Sequence, residues 1–202
     1  MKELVMMLKF LRDKIPNNGM SYEDYKKLFA EEIENPPALD GKNNYAIKKL
    51  NLSRSTRVEK QFVPSDEIIE AVKKISCPQL WIVLTESWCG DSAQNLPILA
   101  KISELSKNVE LQILLRDSNL EIMDQYLTNG TRSIPKLIAF DEDGKELFLW
   151  GARPAAAQKL INELKERGLQ KNEWLIELHK WYSNNRGKEL DKELLELLNN
   201  LE

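Results

Sequence analysis

The sequence predicts an α/β fold in which helices cover both faces of a central four-stranded mixed sheet. A continuous apolar run over 80–85 is typical of a strand that is covered on both faces. From there to residue 167, strand and helix patterns alternate in the order β-α-β-α-β-β-α. A right-handed crossover makes the first two strands parallel. The turn ending at Gly144 then closes a hairpin, which adds the last two strands antiparallel.

Residues 1–63 are predicted to form a helical extension that packs on this core. Near its start, apolar residues recur at helical spacing at Leu4, Leu8 and Leu11. Ser21 is a good N-cap for a helix over 22–33. A further helix is predicted over 45–59, although its ragged apolar spacing leaves a strand over 57–62 as an alternative.

The central domain is predicted to span residues 64–168, and a second helical extension follows at 169–202. Ser65 is the N-cap expected for the domain's first helix. The predicted elements of the domain are helix 66–75, strand 80–85, helix 93–106, strand 109–115, helix 120–129, strand 136–140, strand 145–150 and helix 155–167. The extension contains predicted helices over 172–182 and 188–198. The leucine stripe of the last helix is more simply explained by packing on the core than by self-association.

Composition excludes several classes of function for this chain. The 202 residues carry a formal net charge of −3, and the lysines and arginines are scattered, so no nucleic-acid partner is expected. No apolar stretch reaches the ~18 residues that a membrane span needs. The apolar run over 4–8 is too short for a signal peptide, and we therefore expect a cytoplasmic protein. No group of cysteines and histidines has metal-ligand spacing, so no metal is expected.

The chain has two cysteines, and they are not expected to form a disulfide. Cys77 and Cys89 lie on opposite sides of the strand predicted over 80–85. Extended residues rise ~3.3 Å each, which places the two Cα atoms more than ~20 Å apart. A disulfide needs less than ~7 Å. We assign no role to Cys77.

The junction between the first strand and its helix has the pattern Trp-Cys-Gly-Asp-Ser over residues 88–92. Unpaired N–H groups and a partial positive charge lie at a helix N-terminus, and both favour thiolate over thiol. The pKa of Cys89 is therefore expected to lie below the free-cysteine value of ~8.5. Ser92 occupies the position at which a C-x-x-C motif would have its second cysteine.

Six features over residues 64–168 resemble the thioredoxin family. They are Trp88-Cys89-Gly90, Pro97 eight residues after the cysteine, Ser133-Ile134-Pro135, Phe140, the Asp143-Gly144 turn and Gly151-Ala152. The resemblance implies a thioredoxin-like fold in which Pro135 is a cis-proline that lies against the active cysteine. The flanking helices resemble those of a bacterial subgroup with a W-C-G-D-x active site.

Two departures from the family pattern argue against an ordinary thioredoxin reductase cycle. Ser92, natural or engineered, replaces the second active-site cysteine. Val83 stands six residues before Cys89, where classical thioredoxins bury an acidic residue that helps to move protons.

The predicted site combines the sequence pattern with this resemblance. Its catalytic residues are Cys89 and Ser92, and its substrate-binding residues are Trp88, Gly90, Asp91, Arg132, Ile134 and Pro135. The Ser92 hydroxyl is expected to stabilise the thiolate, and Asp91 is expected to oppose it as a like charge. The cis bond at Pro135 would leave the Ile134 backbone free to pair with an extended substrate.

Four other charged or titratable residues are not included in the predicted site. Arg116 and Asp117 end the second strand, where a surface ion pair is the favoured interpretation. Arg153 is interpreted as a solvated residue at a helix start, and the single histidine, His179, is assigned no role.

Two functions remain in competition at this point. The first is monothiol thiol–disulfide exchange through Cys89, with a protein or small-molecule disulfide as substrate. It needs no cofactor, but glutathione or another low-molecular-weight thiol would serve as co-substrate. The alternative is a redox-inactive module that binds a peptide or a protein. The sequence leaves the oligomeric state open.

Overall fold

The computed structural model describes residues 19–35 and 42–201. The helices predicted around Leu4, Leu8 and Leu11 lie outside the described residues. The helices are α1 (Tyr22–Glu34), α2 (Lys42–Gln61), α3 (Asp66–Lys73), α4 (Gly90–Ser103), α5 (Leu120–Met123), α6 (Ala155–Glu166), α7 (Lys171–Asn185) and α8 (Lys188–Asn199). The strands are β1 (Gln79–Thr85), β2 (Val109–Leu115), β3 (Lys136–Phe140) and β4 (Glu146–Gly151).

The four strands form one mixed sheet in the order β2-β1-β3-β4, as predicted. β1 pairs in parallel with β2 and antiparallel with β3, and β3 and β4 form the antiparallel hairpin. Every residue of β1 is buried, which explains its uninterrupted apolar run. Because β1 is central, the loop after Thr85 emerges from the middle of the sheet edge.

The N-terminal helices confirm the caps read from the sequence. The hydroxyl of Ser21 accepts the Asp24 N–H, and that of Ser65 accepts the Ile68 N–H. The strand alternative over 57–62 is wrong, because α2 continues to Gln61. Its apolar spacing is ragged because much of its contact with the site region is polar. The Asn51 side chain donates to the Ser87 carbonyl, and that of Ser55 donates to the Ala93 carbonyl.

The helix predicted over 120–129 is wrong in its second half, because α5 ends at Met123. Asn129 and Gly130 both have positive φ, at 50° and 73°, which glycine and asparagine tolerate best. They make a tight turn that pairs the backbones of Thr128 and Thr131 instead of ending a helix.

The last helix packs on the core through its leucine stripe, which was the simpler explanation of that stripe. Leu190, Leu194 and Leu198 are buried in the main core with residues of α3 and α4. Its carboxylates are not uniformly solvated, since Asp191 is buried and accepts the backbone N–H and the hydroxyl of Ser65. The C-terminal helix therefore caps the start of α3 from a distance of 126 residues in sequence.

Candidate functional site

Cys89 lies at the N-terminus of α4, four residues after the end of β1. The helix begins at Gly90, three residues earlier than the sequence predicted, which makes Cys89 its N-cap residue. The Cys89 Sγ accepts the Ser92 N–H at 3.4 Å and donates to the Ile134 carbonyl oxygen at 3.3 Å. The sulfur thus contacts both the helix that begins after Cys89 and the loop that contains Ile134 and Pro135.

The environment of the thiol contradicts the expected low pKa. Cys89 is only 9% exposed, and burial, followed by the charge of Asp91, raises the pKa of its thiol to about 11. The Ser92 hydroxyl and the N–H groups of Ser92 and Asp91 act in the opposite direction but are outweighed. The helix N-terminus does not lower the pKa below its usual value, because desolvation disfavours the charged thiolate more strongly.

Ser92 lies in the first turn of α4 and is 2% exposed. Within the described parts of the chain, its buried hydroxyl has no hydrogen-bond partner. A buried hydroxyl without a partner is costly in a folded protein. The hydroxyl acts to lower the pKa of Cys89, and the N–H of the same residue donates to the Cys89 sulfur at 3.4 Å.

Asp91 is a buried carboxylate with three donors to its side chain. One oxygen accepts from the Tyr182 hydroxyl at 2.7 Å, and the other accepts from two guanidinium nitrogens of Arg153, at 2.5 and 3.1 Å. The Asn95 side chain donates to the Asp91 carbonyl and to the Tyr182 hydroxyl. Arg153 is therefore not the solvated residue that the sequence suggested, because it neutralises the acid beside the thiol.

The loop before β3 closes the other side of Cys89. The Ile134–Pro135 peptide bond is cis. Gly151, at φ 125°, lies directly across from this loop, and a Cβ there would collide with the Pro135 carbonyl oxygen. The prediction that the Ile134 backbone is free is wrong for its carbonyl, which accepts the Cys89 thiol.

Trp88 is partly buried beside the thiol and stacks with a cation. The Arg116 guanidinium lies 4.7 Å from the centre of a Trp88 ring, and Arg116 also pairs with Asp117 at 2.6 Å. The surface ion pair predicted for this position is present, but it also fixes the aromatic side chain at the rim of the site. Arg132 pairs with Asp124 at 2.6 Å and is solvent-exposed.

His179, to which the sequence assigned no role, contacts the start of α4. A Cβ on Gly90 would lie 2.9 Å from its Cε1 and 3.0 Å from its Nε2. Burial, with the nearby charges of Arg54 and Arg57, lowers the pKa of His179 to about 4, so the ring is neutral at pH 7. Gly90 thus permits the close approach of α7 to the thiol loop.

A cleft of about 790 Å³ opens above the thiol. The predicted site residues among its lining are Trp88, Cys89, Gly90, Asp91, Arg132 and Ile134. Ser92 and Pro135 lie behind this lining. One wall comes from α2, with Ile47, Leu50 and Arg54, and the other from α7, with Lys171, Trp174 and His179. Neither wall was predicted from the sequence. The only sequence signal for a missing partner was Asp91, an acid beside the thiol with no evident counter-ion.

Within residues 19–35 and 42–201, each helix is too short or too polar to span a membrane. In the same part of the chain, no group of three or more histidine, cysteine or acidic side chains is arranged to hold a metal ion.

Comparison with known proteins supports the fold. Two solved structures are similar, each at 19% sequence identity. A protein of unknown function from Pseudomonas aeruginosa has a TM-score of 0.59 over 91% of this chain and 99% of its own. An HIV epitope-scaffold has a TM-score of 0.55 over 90% and 99%. No curated protein matches the sequence.

A family model described as thioredoxin matches residues 42–165. The match covers more than half of the chain, including the whole sheet, the Cys89 loop and the Pro135 loop. It also begins at α2, so the α2 wall of the cleft falls within the family match. The chain belongs to the thioredoxin family.

Proposed function

We propose that this protein carries out monothiol thiol–disulfide exchange through Cys89. One observation carries the proposal: a single thiol at a helix N-terminus lies at the base of a cleft and is flanked by the Ser92 N–H and the Ile134 carbonyl. We place the reaction in the cytoplasm, where thiol pools keep single cysteines reduced.

The exchange is balanced without any external oxidant or reductant. The Cys89 sulfur attacks one sulfur of a substrate disulfide R–S–S–R′, whose S–S bond breaks as the Cys89–S–S–R bond forms. The Cys89 proton ends on the departing R′–SH. A second thiol R″–SH then attacks the mixed disulfide, which regenerates the Cys89 thiol and releases R–S–S–R″.

The raised pKa determines how such a reaction is driven. At pH 7 a pKa of about 11 leaves only ~1 molecule in 10⁴ as thiolate. The reaction must therefore be accelerated by holding the disulfide in position against the sulfur. Well-oriented groups reach effective molarities of ~10⁵ M or more. The unpartnered Ser92 hydroxyl supports this step, because it gains an acceptor when the sulfur becomes charged.

Adduct formation at Cys89 tests the proposal directly. A Cys77→Ser chain incubated with bis(2-hydroxyethyl) disulfide at pH 8 should gain one mercaptoethanol group, read by intact mass and mapped to Cys89. A second thiol should then remove the group. The Cys77→Ser/Cys89→Ser chain is the control and should gain nothing. Absence of an adduct on folded protein, when the urea-unfolded Cys77→Ser chain is modified, would refute exchange.

A redox-inactive binding module is the second candidate, and a specific observation favours it. The cleft walls expose apolar side chains, with Ile47 at 44%, Leu50 at 51% and Ile176 at 68% exposed. A module of this kind needs no thiolate, which agrees with a pKa raised to about 11. It requires that Cys89→Ala keep full biological function, whereas exchange requires that function be lost.

A further inference from the structure

The lining of the cleft is cationic although the chain as a whole is acidic. The formal net charge of the chain is −3. Five cationic side chains line the cleft, namely Arg54, Arg116, Arg132, Arg153 and Lys171. Among the described lining residues, Asp91 is the single carboxylate. Such a local excess of positive charge raises the concentration of anions at the site.

Three of these five cations already have a carboxylate partner. Arg116 pairs with Asp117, Arg132 with Asp124 and Arg153 with Asp91. Among residues 19–35 and 42–201, neither Arg54 nor Lys171 has a carboxylate within ion-pair distance. Their charge is the part of the lining that remains available to a ligand.

Arg54 lines the same cleft as Cys89 and lies near the residue that follows it. Its side chain is half-buried, and its guanidinium donates to the Asn51 side chain at 2.9 Å. A Cβ on Gly90, the residue after Cys89, would lie 3.6 Å from the Arg54 Nη1. Burial, followed by the charge of Arg57, lowers the pKa of Arg54, and Asp91 acts in the opposite direction. A half-buried guanidinium with no carboxylate within ion-pair distance has donors available for an anion that enters the cleft.

The size of the cleft suits a small ligand. Its volume of about 790 Å³ lies in the range of small-molecule sites. Side chains of α2 and α7 line this cleft together with Cys89, and both helices approach Gly90, the residue after the thiol. Ile47, Leu50 and Trp174 supply apolar contact for an aliphatic stem.

We infer that the substrate of Cys89 is a low-molecular-weight disulfide that bears carboxylates, with Arg54 as its principal anion-binding residue and Lys171 as a second. The inference rests on the exchange proposed above and names its substrate class. The carboxylate lies against the guanidinium, the aliphatic stem against the α2 wall and the disulfide against the Cys89 sulfur. The exchange is the balanced step given above, with a carboxylate-bearing thiol as R′–SH.

Three disulfides of matched size test the charge preference. They are 3,3′-dithiodipropionate, which is anionic, bis(2-hydroxyethyl) disulfide, which is neutral, and cystamine, which is cationic. The rate of Cys89 modification in Cys77→Ser protein is measured by intact mass. Each rate is divided by that of the same disulfide with neutral N-acetylcysteine amide, which removes differences in leaving-group chemistry. We expect the anionic disulfide to be preferred over the cationic one by about tenfold at low salt.

Arg54→Gln should abolish most of this preference. The normalised rate for dithiodipropionate should fall about fivefold, and that for the neutral disulfide should stay within about twofold. Arg57→Gln is the matched control, since Arg57 lies on the same helix outside the cleft, and it should keep the preference. A preference that is absent in the parent, or equal in the two variants, overturns the inference while leaving exchange intact.

An unreactive ligand separates failure of the subsite from failure of the exchange. The thioether 3,3′-thiodipropionate cannot exchange, and its binding is read from tryptophan fluorescence through Trp88 and Trp174. Binding that is lost in Arg54→Gln and kept in Arg57→Gln supports the anion subsite, even if no disulfide modifies Cys89. Absence of binding, or equal binding by both variants, refutes it.

Discussion

The two cysteines of this chain lie at opposite ends of β1 and in opposite environments. Cys77 is exposed in the loop before the strand, and its sulfur accepts a hydrogen bond from the Ser76 hydroxyl at 3.9 Å. Cys89 is buried after the strand, between a helix N-terminus and the Ile134 carbonyl. Exposure makes the first thiol open to any reagent. Burial raises the pKa of the second thiol, which lines the cleft, so the shape and charge of the cleft affect what can contact it.

Alkylation against pH should show the largest difference between the two thiols. Cys89 should react with iodoacetamide more than about a hundredfold more slowly at pH 7 than an unperturbed cysteine, because its pKa is raised to about 11. Since the thiolate reacts, its rate should rise about tenfold per pH unit until the pH nears 11. Peptide mapping after timed quenching gives both rates in one sample, with Cys77 as the internal exposed reference. A plateau of the Cys89 rate near pH 8 would contradict the buried geometry.

Much of this comparison could be predicted from the sequence, because it depends on local patterns. The apolar run of β1 and the Ser21 and Ser65 caps each act within a few residues, and all were located correctly. Cys89 was also placed at the strand–helix junction correctly. The direction of its pKa shift was predicted wrongly. Its position at a helix N-terminus can be read from nearby residues, whereas its burial depends on residues far away in sequence.

The parts of the site that the sequence missed are contacts over long separations. Asp91 binds Arg153 and Tyr182, which are 62 and 91 residues away. Neither partner has a local pattern that differs from that of an ordinary surface arginine or core tyrosine. An acid in the first turn of a helix is explained without them. Only the fold brings the three side chains together.

Removing the Asp91 charge should narrow the difference in alkylation rate between Cys77 and Cys89. Asp91→Asn removes the like charge that raises the Cys89 pKa, so Cys89 alkylation at pH 7 should speed up by about three- to tenfold. Tyr182→Phe is the matched control, because it removes a hydrogen bond to the same carboxylate and keeps the charge. It should leave the rate within about twofold. Equal acceleration in both variants would mean that loosened packing, and not charge, is responsible.

The α7 helix encloses Cys89 but not Cys77, and Gly90 tests that enclosure. Gly90→Ala places a Cβ 2.9 Å from the His179 ring, so the ring must shift, at a cost of about 1–2 kcal/mol in unfolding free energy. Cys89 alkylation should accelerate while Cys77 alkylation stays constant. Urea denaturation and the same mapping give both quantities. His179→Ala in the Gly90→Ala background should recover most of the stability lost, and purely additive effects of the two changes would rule out the contact.

Ser92 should have the smallest effect on reactivity and an unusual effect on stability. Its hydroxyl lowers the Cys89 pKa, so Ser92→Ala should slow alkylation by about two- to threefold. The same change should leave the unfolding free energy constant or raise it by up to about 1 kcal/mol, because a buried hydroxyl without a partner is removed. Ser103→Ala on the same helix is the control, since that hydroxyl donates to the Ala100 carbonyl at 2.8 Å. The control should lose about 1 kcal/mol and keep the alkylation rate. If Ser92→Ala instead destabilises the fold as much as Ser103→Ala and leaves the thiol unchanged, the serine supports the helix and not the sulfur.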